Sequence, residues 1–200
     1  MRWLPPPDPG TSCCGGFDGS LSGDWTAIRL ETLGGYQFTP TYGPDARPTI
    51  WNPDEFDGSI PRGEVHAAWD ELARTYQLRR VYCDRREWDS EITAWSLLYG
   101  DEVFLTWETY RTNQMAGALR RFVTDVTTGA LTHDGCPITA THIRNARKLA
   151  KPGDQYIIGK PNQAQKIDAA VASVICHEAA ADATAAGWSI QPRRRMVVRR

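Results

Sequence analysis

Apolar residues in the first quarter of the chain fall in short runs broken by glycine, a spacing that suits strands. Residues 15–20 read as a strand running into a turn, with residues 26–33 and 36–42 as its hairpin partners, joined at Gly34 and Gly35. After Pro61 the period changes. Val65, Ala68, Trp69, Leu72 and Tyr76 recur three or four positions apart, which predicts a helix with one apolar face. A strand over 79–84, a helix over 88–99, a strand over 103–107 and helices over 112–126 and 137–148 follow. The pattern ends with a strand over 156–160 and an alanine-rich helix over 166–186, which stops before Gly187. Three antiparallel strands therefore come first, then helices alternating with strands, the order of an α/β domain.

The ends break this pattern. Pro5, Pro6, Pro7 and Pro9 cannot donate to a ladder, so residues 1–12 read as an extended linker. Residues 189–200 carry Arg193, Arg194, Arg195, Arg199 and Arg200 without an acidic residue and read as a basic, flexible tail. Residues 13–188 remain as one domain, and a chain of 200 residues with 41% hydrophobic content is long enough to bury one core. A net charge of -1 excludes coating of nucleic acid by bulk positive charge, so any contact with DNA must be local. The five cysteines, at 13, 14, 83, 136 and 176, form no CxxC pair, which argues against structural zinc and a disulfide framework. No run approaches the roughly 18 apolar residues of a membrane helix, and the proline-rich start is unlike a signal peptide. The expectation is a soluble intracellular protein without a membrane partner.

Three carboxylates stand where chemistry is plausible. Asp18 ends an apolar strand in Gly16-Phe17-Asp18-Gly19-Ser20, between glycines that allow a phosphate or another backbone to come close. It reads equally as a turn aspartate capping its own loop. Asp84 ends the apolar run Val81-Tyr82-Cys83, where a desolvated charge calls for a partner or a metal; Arg85 or Arg86 would serve as the former. Asp168 opens the last helix, which favours a carboxylate through its dipole whatever the function. The alanines after it let that helix lie close to a sheet and bring its first turn near the strand ends. Oxygen ligands so gathered suit hard cations, Mg²⁺ or Mn²⁺, and two such ions suit phosphodiester hydrolysis. His66, His133, His142 and His177 are scattered and read as structural or surface residues, with His142, on a basic helix, as the exception to watch. Between His142 and Lys166 lie six basic residues against Asp154 alone, a stripe that suits phosphate; Lys160, Lys166, Arg147 and Lys148 are its candidates for DNA binding. No base-reading motif is present, so contacts to the DNA backbone are expected. Trp69, Trp88 and Trp95 fall on apolar helix faces and read as core.

Taken in order, these motifs resemble the C-terminal nuclease domain of phage terminase large subunits, particularly those of phages of actinobacteria. The resemblance covers about residues 14–188. It rests on GFDGS followed by Asp24 and Thr26-Ala27, on Tyr82-Cys83-Asp84 ahead of Trp88 and Glu91, on Thr132-His133-Asp134-Gly135 and on KIDAAVA. It implies a ribonuclease H-like fold with a central mixed sheet flanked by helices. It also implies an endonuclease, dependent on Mg²⁺ or Mn²⁺ and using two ions, that cuts concatemeric double-stranded DNA during genome packaging in the host cytoplasm. Carried over by position, Asp18, Asp84 and Asp168 become the catalytic metal ligands, Asp24 an accessory acid near the metals and Glu91 a helper. The implied partners are DNA, a terminase ATPase domain, the small terminase subunit and the portal protein. Two features depart from the family. Arg85 and Arg86 follow Asp84 where a proline is common, and the chain has no G-x-x-x-x-G-K-[ST] phosphate loop with which to drive packaging. Resolvases and exonucleases share the scaffold, and a DNA- or portal-docking remnant would keep it without cutting.

Overall fold

Strand β1, Ser12–Asp18, is the axis of the sheet. The structure, a computed structural model, describes residues 3–189 of the chain. β1 pairs antiparallel with β2, Thr26–Thr32, and β2 with β3, Tyr36–Phe38. β4, Thr41–Tyr42, and β5, Arg47–Pro48, form a small ribbon, and β6, Ile50–Trp51, returns to pair with the start of β2. Helix α1, Arg62–Thr75, leads into β7, Gln77–Asp84, which lies parallel to β1. Helix α2, Asp89–Tyr99, leads into β8, Phe104–Trp107, parallel to β7. Then come α3, Thr112–Thr128; β9, Thr132–His133, parallel to β3; and α4, Pro137–Asn145. The hairpin of β10, Arg147–Lys151, and β11, Gln155–Gly159, stands apart from the main sheet, and α5, Asp168–Ala185, closes the fold. The sheet order is β8-β7-β1-β2-β3-β9 with β6 on β2: antiparallel strands, then parallel ones, as expected for the ribonuclease H-like class.

Side chains alternate across the sheet and build one core on each face. Cys13, Phe17, Ile28, Leu30, Val81 and Cys83 face α1 and α2, where Trp69, Trp88 and Trp95 are fully buried as expected. Phe17 is the hub, with its ring centroid 5.2 Å from both Trp88 and Trp95. Cys14 and Tyr82 face the other way, onto α3 and α5. All five cysteines are free and buried. Burial pushes the Cys13 and Cys14 thiols up to about 12, so neither offers a thiolate at neutral pH.

The structure corrects three expectations. The helix expected over 137–148 ends at Asn145, because Ala146 is extended and the next five residues pair with β11 across a turn at Gly153; Arg147 and Lys148 therefore lie on a strand. The strand expected over 36–42 breaks at Thr39 and Pro40, where proline has no N–H for a ladder. Among the described residues the proline-rich start forms no regular element before Ser12, but it is fastened down: Leu4 N–H donates to the Asp134 carbonyl at 2.7 Å and Gly10 N–H to the Thr75 carbonyl at 2.7 Å. The five arginines of the expected basic tail lie outside the described residues.

Candidate active site

Strand alternation decides where Asp18 points. Phe17 is locked among tryptophans on the α1 and α2 side, so Asp18 faces the side covered by α5. The same rule applies to β7, where Cys83 joins the Phe17 core and Asp84 falls on the face of Tyr82. Because the parallel register sets Phe17 beside Cys83, Asp18 and Asp84 end adjacent strands side by side on one face. Asp168 reaches them from the first residue of α5, which lies against β1 at Gly16. A Cβ built there would stand 2.6 Å from Cys176 N and overlap the Ala172 carbonyl. The close seat expected from the alanine run is thus provided jointly by Gly16, Ala169 and Ala172, all buried.

Asp18, Asp24, Asp84 and Asp168 all line one cleft of about 400 Å³, together with Arg86, Glu87, Thr109 and Lys160. Its acids crowd one another. Burial, then the charges of Asp168, Asp84 and Asp24, hold the Asp18 carboxyl well above the usual carboxylate range, with Arg86 opposing. Burial raises Asp84 as well, against hydrogen bonds from Thr109 and from the backbone. Burial lifts Asp168 to about 6, and its Oδ2 is a buried oxygen without a hydrogen-bond partner. Among the described residues no three His, Cys, Asp or Glu side chains close into a ready coordination group. The carboxylates share the walls of the cleft rather than a common centre.

Asp24 differs from the other three. Burial works against its charge, but Lys160 and Lys166 together hold it below the usual range. Lys160 Nζ lies 2.5 and 2.6 Å from its two oxygens and Lys166 Nζ 3.0 Å from one. Asp24 thus balances the two lysines expected to meet DNA. Lys148 lies over the Tyr156 ring at 4.5 Å, and Arg147 donates to the carbonyls of Arg144 and Ala146 near the end of α4; neither lines the cleft. Glu91 is also elsewhere, paired with Arg62.

Glu87 lines the cleft where Glu91 does not. Its Oε2 accepts from Leu21 N–H at 3.0 Å, tying the loop after β1 to the loop after β7. Its φ of +65° is unusual for a residue with a side chain, and nothing in the local sequence signals it. Arg85 is engaged with Asp89 at 2.7 Å, which leaves Arg86 as the arginine of this pair that faces the cleft. Among the described residues no histidine lines it. His142 is buried and its Nδ1 accepts from Ala169 N–H at 3.0 Å, satisfying a free donor of the first turn of α5. Burial lowers its pKa to about 4, so it is a neutral structural acceptor. Asp134, part of the third motif of the resemblance, pairs with Arg29 and accepts from the Thr39 and Cys136 N–H groups, so its role is architectural.

The donor set fits a hard divalent cation: carboxylate and hydroxyl oxygens, no thiolate or imidazole, and one buried carboxylate oxygen left without a hydrogen-bond donor. The raised pKa of Asp168 also sets a pH dependence. A carboxyl near 3.8 unfolded and near 6 folded stabilises fully below pH 3.8, and that contribution is lost as pH rises through about 6. Replacing it by Asn removes this loss. With divalent ions chelated, Asp168→Asn is expected to match the parent in stability below about pH 3.8, to draw ahead as pH rises towards 6 and to exceed it at pH 8 by at most about 3 kcal/mol, followed through the thermal midpoint at each pH. A gap that stays constant from pH 4 to pH 8 would contradict the buried, crowded carboxylate.

No family model matches the chain. It is 29% identical over 191 residues to the Gene 13 protein of Mycobacterium phage D29, covering 90% of this chain and 31% of that protein. It is 28% identical over 179 residues to the Gene 13 protein of Mycobacterium phage L5, covering 84% and 29%. The chain thus spans about a third of the length of these curated relatives. Among solved structures it superposes on the large terminase of bacteriophage HK97 with a TM-score of 0.67 and 15% identity, covering 87% of this chain and 40% of that one. It superposes on the large terminase nuclease of thermophilic phage G20c with a TM-score of 0.64 and 11% identity, covering 89% and 91%. The G20c nuclease has also been solved with bound magnesium, cobalt and zinc. The chain therefore has the ribonuclease H-like fold of the phage large-terminase nuclease domains.

Proposed function

We propose that this chain is the nuclease domain of a phage terminase large subunit, a divalent-metal-dependent endonuclease that cuts concatemeric double-stranded DNA during genome packaging. One observation carries the reading: two carboxylates at adjacent strand ends and a third at a helix N-terminus, one of its oxygens unpartnered, line a single cleft in a fold shared with terminase nucleases. Asp18, Asp84 and Asp168 would hold Mg²⁺ or Mn²⁺. When bound, two such ions supply an activated water and charge stabilisation at the leaving oxygen.

The protein's own groups hold the substrate in place. Lys160 lines the cleft and Lys166 is joined to it through Asp24, their shared counter-ion, and a phosphate entering there would compete with Asp24 for them. Asp24, freed from the lysines, becomes available to the metal side of the cleft. Arg86 opposes the rise in the pKa of Asp18 and Asp84 and so favours their charged forms. The Arg62 guanidinium, over the Trp88 ring at 4.8 Å and bonded to the Glu87 carbonyl at 2.9 Å, steadies the loop after β7. Without a phosphate loop of its own, the domain would work with a terminase ATPase domain, the small terminase subunit and the portal protein in the host cytoplasm. Among the described residues no helix is long and apolar enough to cross a membrane.

Incubation with supercoiled plasmid and Mn²⁺ tests the reading. Nicked, then linear, then smaller products are expected, and EDTA should stop them. Digestion confined to free ends would mark an exonuclease, and no product with Mg²⁺, Mn²⁺ or Co²⁺ would mark a docking module. Lys160→Gln is expected to weaken binding to DNA of any sequence. It should also lower the slope of log affinity against log salt by about 1, as one lost phosphate contact requires. An unchanged slope would remove Lys160 from the DNA path.

A further inference from the structure

A second cavity, of about 280 Å³, opens between α3 and α4 over the face of β2 and shares no lining residue with the carboxylate cleft. Phe122, Val126, Leu131, Ala140 and Ile143 supply apolar wall, and Val126 and Ile143 are each 44% exposed. Arg29 also lines it, an arginine with only 1% of its surface exposed. Its guanidinium pairs with Asp134 at 3.3 Å and meets the Thr39 hydroxyl through the same nitrogen. Its Nε has no hydrogen-bond partner. A buried N–H left without an acceptor is rare and costly, and here it accompanies a space of about nine waters at about 30 Å³ each.

We propose that this cavity is a binding site for a small, neutral, largely apolar molecule carrying one hydrogen-bond acceptor, which Arg29 Nε–H donates to. Neutrality follows from Asp134. Asp134 is 1% exposed, lines the same cavity and already balances the arginine, so an anionic acceptor would add an uncompensated charge beside a buried carboxylate. The apolar body follows from the walls, and the size, one ring with a short substituent, from the volume.

Acetanilide is the probe, followed by shifts of ¹³C-labelled methyl groups in the intact chain. Saturable shifts confined to Val126, Leu131, Ala140 and Ile143 are expected, with a dissociation constant of about 1 mM, as suits a ligand of ten heavy atoms. Ethylbenzene, which lacks the acceptor, should bind about fivefold more weakly, and phenylacetate at pH 7 at least about tenfold more weakly. Ala140→Leu fills the cavity from a half-buried position and spares the buried ion pair. It should abolish the shifts while leaving the circular dichroism spectrum unchanged. Absence of saturation up to the solubility limit, equal binding of ethylbenzene, or shifts that persist in a folded Ala140→Leu protein would each overturn the site.

Discussion

Asp18→Asn is expected to reduce metal-dependent DNA cleavage at least about 1000-fold while leaving the protein folded and, without divalent ions, at least as stable as the parent at pH 8. The loss follows from removing a charged ligand whose share of transition-state stabilisation through the metal is several kcal/mol. The stability follows from crowding: Asp18 is held well above its ordinary pKa by burial and three neighbouring carboxylates. Deleting its charge relieves repulsion that the parent retains for function. Added Mn²⁺ should reverse the order. In the parent it supplies the missing counter-charge and raises the thermal midpoint, by about 2.7 kcal/mol of stability at a hundredfold excess over its dissociation constant. In Asp18→Asn the rise should be much smaller. A variant that cuts as fast as the parent would remove Asp18 from the site; one that fails to fold would make it a structural aspartate.

The carboxylates were readable because each sits at a point where a pattern changes. Asp18 and Asp84 close apolar strand runs, and Asp168 opens an apolar helix; strand ends and helix starts converge at one edge of an α/β sheet. What local pattern could not show was set by pairing at a distance. Arg147 and Lys148 continue a helical composition, but an antiparallel partner eight to twelve residues further on drew them into a strand. Glu87 looks like a surface acid beside two arginines; its place in the cleft depends on a left-handed backbone and on Leu21, 66 residues earlier in the chain. Glu91 has the more prominent sequence position, on the first turn of a helix, yet Arg62 on α1 takes its charge. The lysines were legible as charge, but not the Asp24 carboxylate that holds both, because ion pairs spanning 136 and 142 residues leave no local trace.

Gly16→Ala is expected to be among the most damaging small substitutions in the chain, and its neighbour provides the control. At Gly15 an added methyl meets the Leu30 Cδ2 at 3.0 Å and the Val81 Cγ2 at 3.3 Å, ends of side chains that can give way. At Gly16 it meets the backbone of α5 on two successive turns, Ala172 and Cys176, which can yield only by moving the helix. Gly15→Ala should therefore cost about 1 kcal/mol and Gly16→Ala about 3 kcal/mol or more, a large part of a typical margin of about 5–15 kcal/mol. The same movement carries Asp168, one turn before Ala172, away from Asp18 and Asp84. Misplacement by about 1 Å costs on the order of 100-fold in rate, so the folded fraction of Gly16→Ala should cut far more slowly than that of Gly15→Ala. Urea midpoints for both variants, with plasmid cleavage rates normalised to folded protein, test the two claims separately. Equal stability would mean that α5 does not rest on β1 at Gly16, and equal normalised rates would mean that its seat does not position Asp168.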